Sequence, residues 1–153
     1  MLRTEHPRTD FAGLLKEPGK IQPDDVRYFR GEVFRDGVVS QAEAEALFSM
    51  NTGVSQKCRE WDEYFVEALS VYVVEQAEPR GYVSHANAQW VIDSISRDSR
   101  IEPGNELELV VKILDKSQSP PELLVGFALQ MVRRAAPDGE GPLAPASLPR
   151  RPT

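Results

Sequence analysis

Glu32-Val-Phe-Arg-Asp36-Gly37-Val-Val39-Ser40-Gln-Ala-Glu43 writes a helix end, a tight turn and a new helix start into twelve residues. Gly37 stands where a helix ending at about Arg35 or Asp36 needs a residue that tolerates positive φ, and Ser40 stands where the next helix needs a side-chain acceptor for its free amides. Ser40 and Glu43 have the S-x-x-E spacing of a capping box, in which two side chains satisfy backbone N–H groups reciprocally. Those roles explain Gly37, Ser40 and Glu43 without a ligand.

The same residues also have the outline of a calcium loop. With Glu32 at position one, Asp36 falls at five, Gly37 at six, Val39 at eight, Ser40 at nine and Glu43 at twelve, near the D-x-[DN]-x-[DN]-G-x5-E pattern. Position three is Phe34, which offers no oxygen. A shell one ligand short and opened by the longer Glu binds Ca2+ or Mg2+ weakly, because affinity follows ligand charge count. Glu32, Asp36, Ser40 and Glu43 are the candidate metal residues.

Around this turn the apolar spacing is helical throughout. Val26, Phe29 and Val33 follow Pro23 as a short amphipathic helix. A second helix runs from about Gln41 to Met50 and is stopped by Asn51-Thr-Gly53. Ser55 is placed to cap a long third helix whose stripe is Cys58, Trp61, Phe65, Ala68, Leu69, Tyr72 and Val73, the expected hub of the core. Ser84 opens a fourth helix bearing Ala88, Val91, Ile92 and Ile95. Pro103-Gly104 leads to a fifth with Leu107, Val110, Val111 and Leu114 inward, and Ser119-Pro-Pro-Glu122 reads as a capped start for a sixth. Residues 1–23, with three prolines and only Phe11 and the pair Leu14-Leu15 to anchor them, read as an N-terminal arm, at most partly packed. Residues 137–153, dense in Pro and Ala without a periodic face, read as a mostly disordered tail. The expected fold is all-α: one six-helix domain over residues 24–136.

The pattern repeats. A shift of 62 pairs Phe29 with Val91, Val33 with Ile95, Asp36 with Asp98, Leu47 with Leu109 and Phe48 with Val110, and a shift of 58 pairs Leu69 with Phe127, Val73 with Met131 and Pro79 with Pro137. This predicts two related three-helix units, about residues 24–84 and 86–144. It also yields a second loop, Ser94 to Asn105, with oxygens at positions one, three, five, nine and twelve but Ser99 in place of the glycine.

Composition narrows the function. The 153 residues hold 24 acidic and 18 basic side chains, a net charge of -6, which argues against a nucleic-acid backbone or an anionic membrane as main partner. One cysteine forms no internal disulfide, no secretory leader pattern opens the chain, and no apolar run approaches the about 18 residues of a transmembrane helix. The expectation is a cytoplasmic protein.

Asp36-Gly37-Val-Val-Ser40-x-x-Glu43, between a short helix and a helix bearing Ala44 and Leu47, resembles the acidic D-G-x-[IV]-S-x-x-E turn of the TerB-like helical domains of tellurite resistance and, more loosely, of EF-hand proteins. The specific match spans about a tenth of the chain, and the helix pattern about two-thirds. The resemblance implies an all-helical bacterial protein, a divalent-cation site built on turn acids, and a role in stress response or metal handling. Asp36 and Glu43 are the residues that carry over; Phe34 departs from the EF-hand pattern, and the second repeat keeps Asp98 and the neighbouring Glu106.

Catalysis needs a nucleophile, a base or a metal with an orienting partner. Cys58, His6 and His85 are the only candidates, and Cys58 falls on an apolar stripe where a small hydrophobe is the ordinary reading. The expectation is therefore a non-catalytic module that binds another protein, with homo-oligomerisation open. Trp61, Trp90, Tyr64 and Tyr82 read as core rather than as a partner groove. The competing expectations are a calcium- or magnesium-responsive regulator worked by the Glu32 to Glu43 loop, and an unrecognised enzyme.

Overall fold

Pro23 opens the first helix because proline suits a first turn, where its missing N–H is not needed. In the computed structural model, which describes residues 11–96 and 103–135, this helix α1 (Pro23–Tyr28) continues through a π-helical turn, Phe29–Val33, closed by the Phe34 amide on the Phe29 carbonyl at 2.7 Å. It is followed by α2 (Gln41–Gly53), α3 (Arg59–Val71) with its own π-helical extension Tyr72–Gln76, α4 (His85–Ser96), α5 (Pro103–Lys116) and α6 (Glu122–Ala135). Among the described residues the domain is all-α, apart from β1 (Lys20–Ile21) and β2 (Gln56–Lys57), which pair in parallel with Lys20 opposite Gln56.

The first expected boundary moves. Phe11, Leu15 and Ile21 are buried, and the β1–β2 pairing clips residues 20–21 to the loop between α2 and α3, with the Cys58 amide donating to the Ile21 carbonyl at 3.1 Å. Phe11, Leu15 and Ile21 thus anchor the segment read as an arm to the core, while Gly13 and residues 16–19 stay exposed. The expected tail, residues 137–153, lies outside the described residues.

α3 is the hub, packed against α1, α2 and above all α5, while α5 and α6 lie side by side and α6 reaches α4. An aromatic chain joins the elements: Phe29 of α1 meets Trp61 of α3 (6.5 Å between ring centroids), Phe65 meets Phe48 of α2 (5.6 Å), and Phe48 meets Trp90 of α4 (5.7 Å). These edge-to-face contacts add about 0.5–1.5 kcal/mol each beyond area burial. The pairs predicted at shifts of 62 and 58 are buried on both sides at Phe29 and Val91, Leu47 and Leu109, Phe48 and Val110, Leu69 and Phe127, and Val73 and Met131.

Several helix ends differ from expectation for local reasons. α2 runs on through Asn51-Thr-Gly53, because the Asn51 amide is buried with hydrogen-bond partners and has no need to break the helix. α3 begins after Cys58, not Ser55: Ser55 leads into β2, and Cys58 is the half-buried N-cap rather than a member of the stripe. α4 is capped as expected, Asn87 N–H donating to Ser84 Oγ at 3.0 Å. Ser119 does not cap α6; it sits at φ +51 in the preceding turn, and the Pro121 carbonyl takes the Leu124 and Val125 amides.

α5 turns about one residue away from the expected register. Its buried side chains are Asn105, Glu106, Leu109, Val110 and Ile113, with Ser117 buried just past its end, whereas Leu107 and Leu114 are half-buried and Val111 is 51% exposed. That rotation leaves an apolar edge beside α3.

Candidate functional site

The Asp36 turn is built as a cap. Ser40 Oγ accepts the Glu43 N–H at 3.1 Å, and a Glu43 carboxylate oxygen accepts the Val39 N–H at 3.0 Å, one residue further back than a standard capping box. Gly37 holds φ +83 and donates its N–H to the Phe34 carbonyl at 2.9 Å. Glu32 faces Arg35 at 3.7 Å, and Asp36 is exposed. Two of the four candidate oxygen donors thus face backbone amides. Among the described residues no three His, Cys, Asp or Glu side chains gather closely enough to hold a metal ion, so Glu32, Asp36 and Glu43 do not converge. The second loop runs through residues outside the described ones; of its ends, Ser94 is buried on α4 and Asn105 is buried on α5.

The remaining sequence candidates separate. Burial pushes the Cys58 thiol above its ordinary pKa, which lowers its nucleophilicity at neutral pH. His85 is exposed at the start of α4, and His6 lies outside the described residues. Trp61 and Tyr64 are in the core, Trp90 is half-buried with its Nε1 donating to Glu45 at 3.0 Å, and Tyr82 is exposed. Burial raises the Tyr64 pKa strongly, with the Arg30 guanidinium 4.9 Å above the ring.

Three hollows among the described residues bear on function. One, between the 3-10 turn Phe11–Leu14 and α1, has its charges paired internally, Lys16 and Arg27 both bonding Asp24. A second, of about 220 Å³, lies over Asn51, Asp62 and Asn105, where the two amides bond each other, Asn51 accepts from Trp61 and the Asp62 carboxylate accepts from Asn105. Both are structurally satisfied.

The third is a groove of about 760 Å³ along α3 and α5. α3 contributes Glu63, Val66 and Glu67, and α5 contributes Leu107, Glu108, Val111, Lys112 and Asp115. It exists because of the α5 register: Leu109, Val110 and Ile113 turn to the core, so Leu107 and Val111 line the open side. Glu63 pairs with Arg59 at 3.4 Å and Glu67 with Arg30 at 3.5 Å. Glu108 and Asp115 have no ion-pair partner among the described residues. Sequence reading missed this groove by assigning Leu107, Val111 and Leu114 to the core. The available signal was the doubled apolar pattern of α5, which a single buried face does not need.

No protein-family model, curated protein or solved structure matches the chain.

Proposed function

We propose that this chain is a non-catalytic module that binds another protein along the α3–α5 groove. The observation that carries this reading is Val111, a β-branched apolar side chain left half in water at the centre of a groove whose other walls include Val66 and Leu107. Covering such a side chain contributes about 25 cal/mol per Å² of apolar surface, so a partner with a matching stripe gains where water does not. In this reading a duplicated three-helix unit is the scaffold, which the recurrence of buried positions at both offsets supports, and the second unit differs by presenting the outer edge of α5. The resemblance of the Asp36 turn to TerB-like domains supports reading the module as a cytoplasmic bacterial protein of stress response.

Co-purification from source cells tests it. A partner retained by the full chain and lost by Val111→Asp, with the thermal midpoint unchanged, supports the reading; a set of co-purifying proteins indifferent to that substitution contradicts it. The half-exposed position keeps the expected stability change within about 0.5 kcal/mol.

A further inference from the structure

The rim of the groove says more than its floor. Glu63 and Glu67 on α3 and Glu108 and Asp115 on α5 set four carboxylates around Val66, Leu107 and Val111, with Lys112 as the one cation in the lining. Glu108 and Asp115 are seven residues apart on α5, two helical turns, so they flank Val111 on one face and stand at the two ends of the groove. Neither is in an ion pair among the described residues, and the pairs made by Glu63 and Glu67 join largely exposed side chains. Glu63 and Glu67 thus already face arginines, and the carboxylates left to meet a cation are those of Glu108 and Asp115 on α5.

We propose that the occupant is a cationic amphipathic helix of a partner protein, with an apolar stripe laid on Val66, Leu107 and Val111 and Lys or Arg side chains set against Glu108 and Asp115. This rests on the reading that the groove binds protein, and it adds the partner's chemistry. The groove lies along two packed helices, and its α5 wall from Leu107 to Asp115 is about 12 Å long, the rise of two helical turns. That length suits apolar anchors spaced i, i+3 or i+4, and i+7, the spacing by which a helix docks in a groove. A second copy of this chain docked face to face would set Glu108 and Asp115 against the same acids, a like-charge arrangement that opposes association.

The test uses the full chain and three synthetic peptides: a basic amphipathic helix with a leucine stripe, the same stripe with every Lys and Arg replaced by Glu, and a scrambled basic peptide. Anisotropy gives affinity, and amide shifts of Val66, Leu107 and Val111 report the site. The expected result is that the basic amphipathic peptide binds tightest, moves those amides, weakens as salt rises, and loses on the order of tenfold in affinity to the Glu108→Gln, Asp115→Gln double variant. Val111→Asp abolishes binding while circular dichroism stays unchanged. Equal binding of the acidic peptide at these amides overturns the cationic partner and leaves the groove reading standing. Equal binding of the scrambled peptide overturns the helix. If no peptide moves the groove amides, the cationic helix is overturned, and the broader reading is then decided separately by the co-purification.

Discussion

Asn51 and Asn105 form a reciprocal amide pair across the core: Asn51 Nδ2 donates to Asn105 Oδ1 at 3.1 Å, and Asn105 Nδ2 donates back to Asn51 Oδ1 at 2.7 Å. The two residues are 54 positions apart, one near the end of α2 and the other in the first turn of α5. Trp61 Nε1 also donates to Asn51 Oδ1 at 2.9 Å, and Asn105 Nδ2 reaches Asp62 Oδ1 at 2.9 Å. The pair fixes how the first helices meet the later ones, and through Asp62 it orients α5 against α3, the two walls of the groove.

Removing one partner leaves buried donors and acceptors unsatisfied, which costs more than the net value of the bonds themselves. Asn105→Ala is expected to lower stability by about 2 kcal/mol, or about 4–8 °C in thermal midpoint for a domain of this size. Urea unfolding followed by tryptophan fluorescence checks it, because Trp61 loses a neighbour of its indole partner. A change below about 0.5 kcal/mol would mean that water replaces the amide without penalty.

The α5 register has a direct test. Ile113 is fully buried and Val111 is half-exposed, though only one residue separates them. Ile113→Ala is expected to cost about 2–5 kcal/mol and Val111→Ala less than about 1 kcal/mol. Comparable losses at both positions would put Val111 in the core and remove the floor of the groove.

How much of this was legible depends on the range of the forces. The Ser40 and Glu43 cap and the Ser84 cap were readable because each is closed by hydrogen bonds within four residues. The all-helical class was readable from apolar spacing alone. The α5 register was not: Leu107, Val110, Val111 and Leu114 make a complete helical stripe, while the stripe that is buried includes Glu106 and Ser117, which no count of apolar residues favours. Burial of Asn105 and Asn51 rests on each other's amides, a pairing invisible from either segment. Ile21 is likewise held at the core where β1 pairs with β2, and Phe11 is buried against Phe29 and Phe34, contacts between segments that neither shows alone.

At the Asp36 turn the cap predicts a loss of about 1 kcal/mol on Ser40→Ala, measured by urea unfolding, and that loss is expected to be the same with and without millimolar calcium. Calcium or magnesium itself is expected to leave the thermal midpoint unmoved. A saturable rise, about 2.7 kcal/mol of stabilisation at a hundredfold excess over the dissociation constant, would revive the cation-responsive regulator.

Burial holds the Tyr64 phenol well above its ordinary pKa of 10.0 and raises that of Tyr72 as well. A raised folded-state pKa means the folded chain keeps a proton that the unfolded chain gives up, so its stabilising contribution is complete below pH 10 and is lost as pH climbs above it. Unfolding free energies measured on either side of pH 10 are expected to show that fall, and Tyr64→Phe is expected to flatten it. An unchanged slope in the variant would place the alkaline transition elsewhere.

The most direct measurement of the central claim compares two valines of equal exposure. Val111 in the groove and Val39 at the Asp36 turn are both 51% exposed, so a photo-cross-linking amino acid placed at either one samples the surroundings equally well. In source cells, residue 111 is predicted to give a discrete cross-linked product and residue 39 to give none. Products from residue 39 alone, or the same products from both, would contradict a function carried by the groove.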